Sequence, residues 1–143
     1  MRRTVRALSL AYALGVLSLT ILPVVPAPES GGWRDMVILM PFMVDAPSFV
    51  LNVIMFVPFG VLVPLLWRRA DSLKTIIWYA AATSCGIELC QLIMDVAQAG
   101  RRTVDVNDVV ANVTGAAFGL VVLRLALPDP AHRDALRRRA PAG

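Results

Sequence analysis

The amino-acid sequence predicts an all-α membrane protein: a bundle of four transmembrane helices with a short interfacial or re-entrant apolar segment between helices 1 and 2. Three observations predict it. The 143-residue chain is 57% hydrophobic with a mean hydropathy of +0.67, above the roughly 45–50% apolar content of a soluble domain. Four apolar runs are long enough to cross a hydrocarbon core of about 30 Å at about 1.5 Å per helical residue. The basic residues flank these runs and form no stripe with interleaved aromatics, which excludes nucleic acid as a partner and favours anionic lipid, despite a net charge of +4.

Helix 1 is Ala7 to Val25, preceded by Arg2, Arg3 and Arg6. Its uncharged stretch is longer than the roughly 7–15 residues of a signal-peptide core, and Pro26-Ala27-Pro28 makes a poor cleavage site, so an uncleaved helix is expected. Met36 to Val44, with Pro41 inside it, is too short to span and suits the interface, as does neighbouring Trp33. Helix 2, Phe49 to Trp67, contains Pro58 and Pro64, which predict a kink rather than a break. Helix 3 is Thr75 to Met94. Its Cys85 and Cys90 stand about 140° apart around the axis, cannot bridge each other, and read as small packing residues.

Helix 4 is Val109 to Leu127. Residues 1–128 then form one four-helix domain, and 129–143 a basic, Pro-bounded cytoplasmic tail lying on anionic headgroups, with Arg124 snorkelling to the same interface. Of the 14 Lys and Arg residues, Arg34, Arg101 and Arg102 alone lie on the opposite side from the rest. That bias places both termini in the cytoplasm and the loops 26–48 and 95–108 outside.

Polar side chains inside these runs are the candidate site, because each ionisable group costs roughly 2.5–3.5 kcal/mol to insert. Ser84, Glu88, Gln91 and Asp95 share one face of helix 3. Asp105, Asp108, Asn112, Gly115 and Gly119 form a single stripe on helix 4, whose Gly-x-x-x-Gly end is a close-packing surface for another helix or for a second copy of the chain. With Asn52 near the outer end of helix 2, the stripes predict an outward-facing pocket: Glu88 at its floor, Asp105 and Asp108 at its rim, Arg101 and Arg102 on the loop above.

Each residue also has a structural reading. Glu88 is either a hydrogen-bonding or ion-pairing group between helices, or a group that binds a polar ligand, relays a proton or helps hold a cation. Asp105 and Asp108 suit the outer start of helix 4, where acidic residues are favoured, with Asp108 as its N-cap. Arg101 and Arg102 are either solvated or partners for phosphate or carboxylate. Asn52 and Asn112 read first as interhelical hydrogen-bonding residues. No His or Cys supports a metal site, His132 sits in the polar tail without a role, Ser84 has no His partner for a hydrolase triad, and no Gly-rich phosphate loop is present. No cofactor is expected.

These segments resemble the VanZ-like membrane family. The resemblance rests on Leu19-Thr20-Ile21-Leu22-Pro23, the run Leu51 to Gly60 beginning Leu-Asn-Val, Glu88-Leu89-Cys90-Gln91, Arg101 and Arg102, the run Asp105 to Asn112, and Gly115 through Gly119. It covers about residues 10 to 125 and implies a small multi-pass protein of the bacterial cytoplasmic membrane. The namesake of the family is associated with teicoplanin resistance, and this chain carries no glycopeptide-specific feature.

Two functions fit. The first is a non-enzymatic protein whose outer pocket of Asn52, Glu88, Gln91, Arg101, Arg102, Asp105, Asp108 and Asn112 binds an envelope lipid or lipid-linked glycan headgroup, affecting envelope properties or glycopeptide susceptibility. The second is an intramembrane enzyme acting on a lipid-linked phosphate, with Glu88 or Asp108 as acid or base and the Arg pair on phosphate. The first is preferred. A transporter fits less well, since four helices without an internal repeat supply no alternating halves.

Overall fold

The computed structural model describes residues 2–21, 37–38, 46–98 and 104–137. They form five helices: α1 (Arg2–Ile21), α2 (Ala46–Leu66), α3 (Leu73–Gln98), α4 (Val106–Ala126) and α5 (Pro130–Arg137). A 3₁₀ turn, Arg68–Ala70, joins α2 to α3. The fold is all-helical apart from a two-residue parallel pairing of β1 (Val37–Ile38) with β2 (Val104–Asp105). Among the described residues α2, α3 and α4 are long and apolar enough to cross a membrane. α1, which begins with Arg2, Arg3 and Arg6, does not reach that standard over its described length, and residues 22–25 of the expected helix 1 lie outside the described residues.

Helix ends follow caps more closely than they follow hydropathy. α4 begins at Val106 and not at Val109, because Asp105 adopts an extended conformation and its carboxylate accepts a hydrogen bond from the Asn107 N–H at 2.9 Å. The N-cap is therefore Asp105, and Asp108, the residue expected there, falls in the first turn. Both Pro58 and Pro64 lie within the continuous helix α2. In the expected interfacial piece, β-branched Val37 and Ile38 find backbone partners in Val104 and Asp105; the rest of Met36–Val44, and Trp33, lie outside the described residues.

The tightest contact is between α2 and α4, which run parallel. A Cβ built on Gly115 would stand 2.1 Å from the Val53 carbonyl oxygen, one on Gly119 2.1 Å from that of Val57, and one on Gly60 2.0 Å from that of Ala116. Only a hydrogen fits at each, so the glycines let the two backbones touch, with Cα–H facing carbonyl. The Gly115/Gly119 face offered by the sequence for a second copy is thus filled by α2 of the same chain. Phe56, Val63, Ile76, Ala80, Ala116 and Leu120 complete the buried core. Tyr12 ties α1 to α2 by donating to the Met55 carbonyl at 3.0 Å.

The outer surface of this bundle is apolar. Leu10, Leu51, Ile54, Trp78, Phe118 and Leu125 are all at least 57% exposed. Within the three candidate spans only 22–39% of residues are buried. Hydrocarbon around the bundle would cover that surface, and water would not tolerate so large a patch. Cys85 and Cys90 belong to this exposed surface and not to a packed seam.

Gly60→Val is expected to cost about 2 kcal/mol or more, because the carbonyl it meets belongs to a packed backbone. Gly86→Ala, which meets nothing within 4 Å, is expected to be neutral or slightly stabilising. Thermal unfolding in detergent separates the two.

Candidate polar site at the α3–α4 end

The contact between α2 and α4 sets the register of the polar residues one to two turns above it. α2 supplies Asn52, α3 supplies Ser84, Glu88 and Gln91, and α4 supplies Asp108 and Asn112. The Asn52 side chain hydrogen-bonds to the Asp108 carboxylate. Asn112, 2% exposed, donates through Nδ2 to Oγ of the fully buried Ser84 at 2.8 Å. Glu88, one turn beyond Ser84 on the same face, is 7% exposed and is hydrogen-bonded by the backbone of Asp105. The face predicted from spacing is therefore formed, and Asn52, Glu88, Asp105, Asp108 and Asn112 come together. Gln91 is half-buried on the turn after Glu88. Arg101 and Arg102 lie outside the described residues, as does the side chain of Asp95.

Two features give the site its chemistry. Oδ1 of Asn112 is buried and has no hydrogen-bond partner among the described residues. An unmet acceptor of this kind costs about 1–3 kcal/mol and is rare in a native interior. The second feature is acidity, since the carboxyls of Asp105 and Asp108 face that of Glu88 closely enough for their charges to act on it. No Lys or Arg pairs with Glu88 among the described residues, nor do any three His, Cys, Asp or Glu side chains there form a group able to hold a metal ion. Asn107, 4% exposed and donating through Nδ2 to Asp105 Oδ1 at 2.7 Å, belongs to the same cluster. It was not singled out from sequence because its neighbours on both sides carried the stronger charge signal.

Residues 9–127 match the sequence model of the VanZ/LLP1 family. The chain belongs to the VanZ/LLP1 family. The match covers most of this VanZ-like membrane protein, including every residue of the polar site. No curated protein and no solved structure matches it.

A second charged cluster of this VanZ-like protein lies at the opposite end of the bundle. The segment read as a separate tail starts with α5, which folds back onto the α2–α3 turn. Arg133 Nε and Arg137 Nη2 reach Asp71 Oδ2 at 2.8 and 2.7 Å, and Arg124 Nη2 donates to the Asp71 carbonyl at 2.9 Å. The side chains of Asp71, Arg133 and Arg137 are 11%, 8% and 10% exposed. The arginines also cap helix ends: Arg137 Nε donates to the Pro64 carbonyl at 2.8 Å, and Arg133 to the carbonyls of Leu127 and Pro128. Arg124 is thus partnered within the protein instead of snorkelling. Each arginine looked like a routine cytoplasmic flank in sequence, and a contact across more than 50 residues has no local signature.

Burial alone would raise the Asp71 pKa, but the hydrogen bonds from Arg137 and Arg133, with their charges, outweigh it and hold the carboxyl below the usual range. Its stabilising contribution is then complete above about pH 4 and is lost as pH falls through the lowered folded value. Asp71→Asn is expected to cost about 2 kcal/mol at pH 7, with wild type and variant converging in acid, as unfolding curves across pH would record. Ser84→Ala should cost about 1–2 kcal/mol by leaving Asn112 Nδ2 unpaired as well. The double variant Ser84→Ala/Asn112→Leu should recover most of that loss in the same assay.

Proposed function

We propose that this VanZ-like protein spans the bacterial cytoplasmic membrane four times, with α1 as the fourth span and both termini in the cytoplasm. In this reading the Glu88 site opens outward and binds the headgroup of an envelope lipid or lipid-linked glycan, through which the protein affects envelope properties such as glycopeptide susceptibility. The observation that carries the reading is Asn112 Oδ1, buried and without a hydrogen-bond partner among the described residues, on the side chain hydrogen-bonded to Ser84 one helical turn from Glu88. The described part of the site is rich in acceptors and acidic, so its complement is a group rich in donors, such as sugar hydroxyls or an amine. Phosphate would be repelled by Glu88, Asp105 and Asp108, so any phosphate of the headgroup would fall to Arg101 and Arg102, which lie outside the described residues. For that reason a headgroup-binding role is favoured over phosphate chemistry at Glu88. The cations at the Asp71 end support a cytoplasmic placement for it.

Native mass spectrometry of the detergent-extracted protein, with photoactivatable envelope lipids as crosslinking probes, tests the reading. Glu88→Gln and Arg101→Ala are each expected to reduce retained headgroup about tenfold, the worth of one charge-assisted hydrogen bond. Retention equal to wild type in folded protein at normal abundance would overturn it. In a background free of Cys85 and Cys90, an external thiol reagent should label Gly100→Cys and spare Arg69→Cys. The reverse pattern would place the site on the cytoplasmic side.

A further inference from the structure

A groove of about 880 Å³ lies between α1, α2 and α3 at the Asp71 end, on the far side of the bundle's length from Glu88. That volume lies within the range of about 300–1,000 Å³ typical of ligand pockets. Its walls are apolar: Ala13 of α1, Phe59, Leu62 and Leu66 of α2, and Ala82 of α3. Of the four hydroxyl-bearing residues that line it, Ser9 donates to the Val5 carbonyl at 2.8 Å and Tyr12 to that of Met55 at 3.0 Å, while Tyr79 and Thr83 can turn theirs to the polar part of an occupant. The engaged pair asks nothing of an occupant, so hydrocarbon meets little desolvation cost beside Ser9 and Tyr12.

The mouth is different. Trp67, 59% exposed, stands beside Arg68 and Arg69. The described carboxylates at this end are engaged: Asp71 by Arg124, Arg133 and Arg137, Asp134 chiefly by Arg137, and Asp129 by the Ala131 N–H at 2.8 Å. Arg68, with its side chain 81% exposed, reaches Asp134 only at 3.8 Å. No carboxylate pairs with Arg69 among the described residues. An apolar slot capped by an aromatic side chain and two poorly neutralised guanidinium groups matches one amphiphile in shape and charge.

We infer that this groove binds an anionic glycerophospholipid, with an acyl chain along the α1–α3 cleft and its phosphate on Arg68 and Arg69. A soluble anion would leave the wall empty, and a zwitterionic lipid brings its own cation to the phosphate and gains less from the arginines. Arginine suits the role because its planar fork can take two phosphate oxygens at once.

The full chain, reconstituted in nanodiscs containing equal phosphatidylglycerol and phosphatidylcholine and released for native mass spectrometry, should retain phosphatidylglycerol at least fivefold over phosphatidylcholine. Arg68→Gln/Arg69→Gln should abolish the preference. Ala82→Trp, an exposed position whose indole would fill the groove, should reduce retention severalfold with both arginines intact. Glu88→Gln should leave it unchanged, which separates this site from the headgroup site. Equal retention of the two lipids by wild type would overturn the inference. So would full retention by Ala82→Trp, which would reduce the effect to surface charge, or loss in Glu88→Gln, which would assign the lipid to the other site.

Discussion

The backbones of α2 and α4 touch, and that contact sets the position of everything else. Helices ordinarily pack about 8–10 Å apart with side chains between them. Here Gly60, Gly115 and Gly119 leave room for carbonyl oxygens where a Cβ would stand. Inside a bilayer, lipid is as apolar as a leucine side chain, so helices gain little from hiding hydrophobic surface and associate through close backbone approach and polar contacts. Three glycines over two turns supply the first of these. They also fix register, because sliding either helix by one residue would drive a Cβ into a carbonyl.

From that register the two ends of the bundle acquire opposite chemistry. One or two turns above the glycines, α2 brings Asn52 to Asp108, and α4 brings Asn112 to Ser84 on α3. Glu88 is carried to the same end beside Asp105. At the other end, the turn between α2 and α3 presents Asp71 to arginines from α4 and α5. Acceptors crowd one end without described cations; at the other, cations are in excess of the carboxylates that hold them. A membrane protein oriented by its basic residues is polarised in this way almost of necessity. Unusually, part of the basic end here is used internally, where arginines close helix C-termini and lock α5 to the bundle.

The polarity also bears on what each end can recognise. The Glu88 site offers oxygen acceptors, one of them unmet among the described residues, and so suits groups that donate hydrogen bonds. The groove beside Arg68 and Arg69 offers donors above an apolar wall and suits an amphiphilic anion. Membership in the VanZ/LLP1 family belongs to the chain as a whole, while what either end could bind depends on these local groups.

By itself the sequence determined the class of the protein. Runs of apolar residues longer than a bilayer is thick permit nothing but helices, and the spacing of Ser84, Glu88 and Gln91, or of Asp108, Asn112 and Gly115, places each set on one face because a helix turns about 100° per residue. It also announced a close helix contact through Gly115 and Gly119. What the sequence left open was the partner for that face, which the tertiary structure gives to α2 through Gly60, a residue that figured in the sequence only as the end of the run Leu51 to Gly60. Helix ends were misread by up to five residues for a related reason: hydropathy marks where a chain is apolar, whereas the start of α4 is set by one carboxylate, Asp105, accepting from one backbone N–H. The Asp71 cluster was wholly a tertiary result. Arg124, Arg133 and Arg137 belong to no shared local pattern with an aspartate more than 50 residues away, and only the return of α5 against the α2–α3 turn makes them one site.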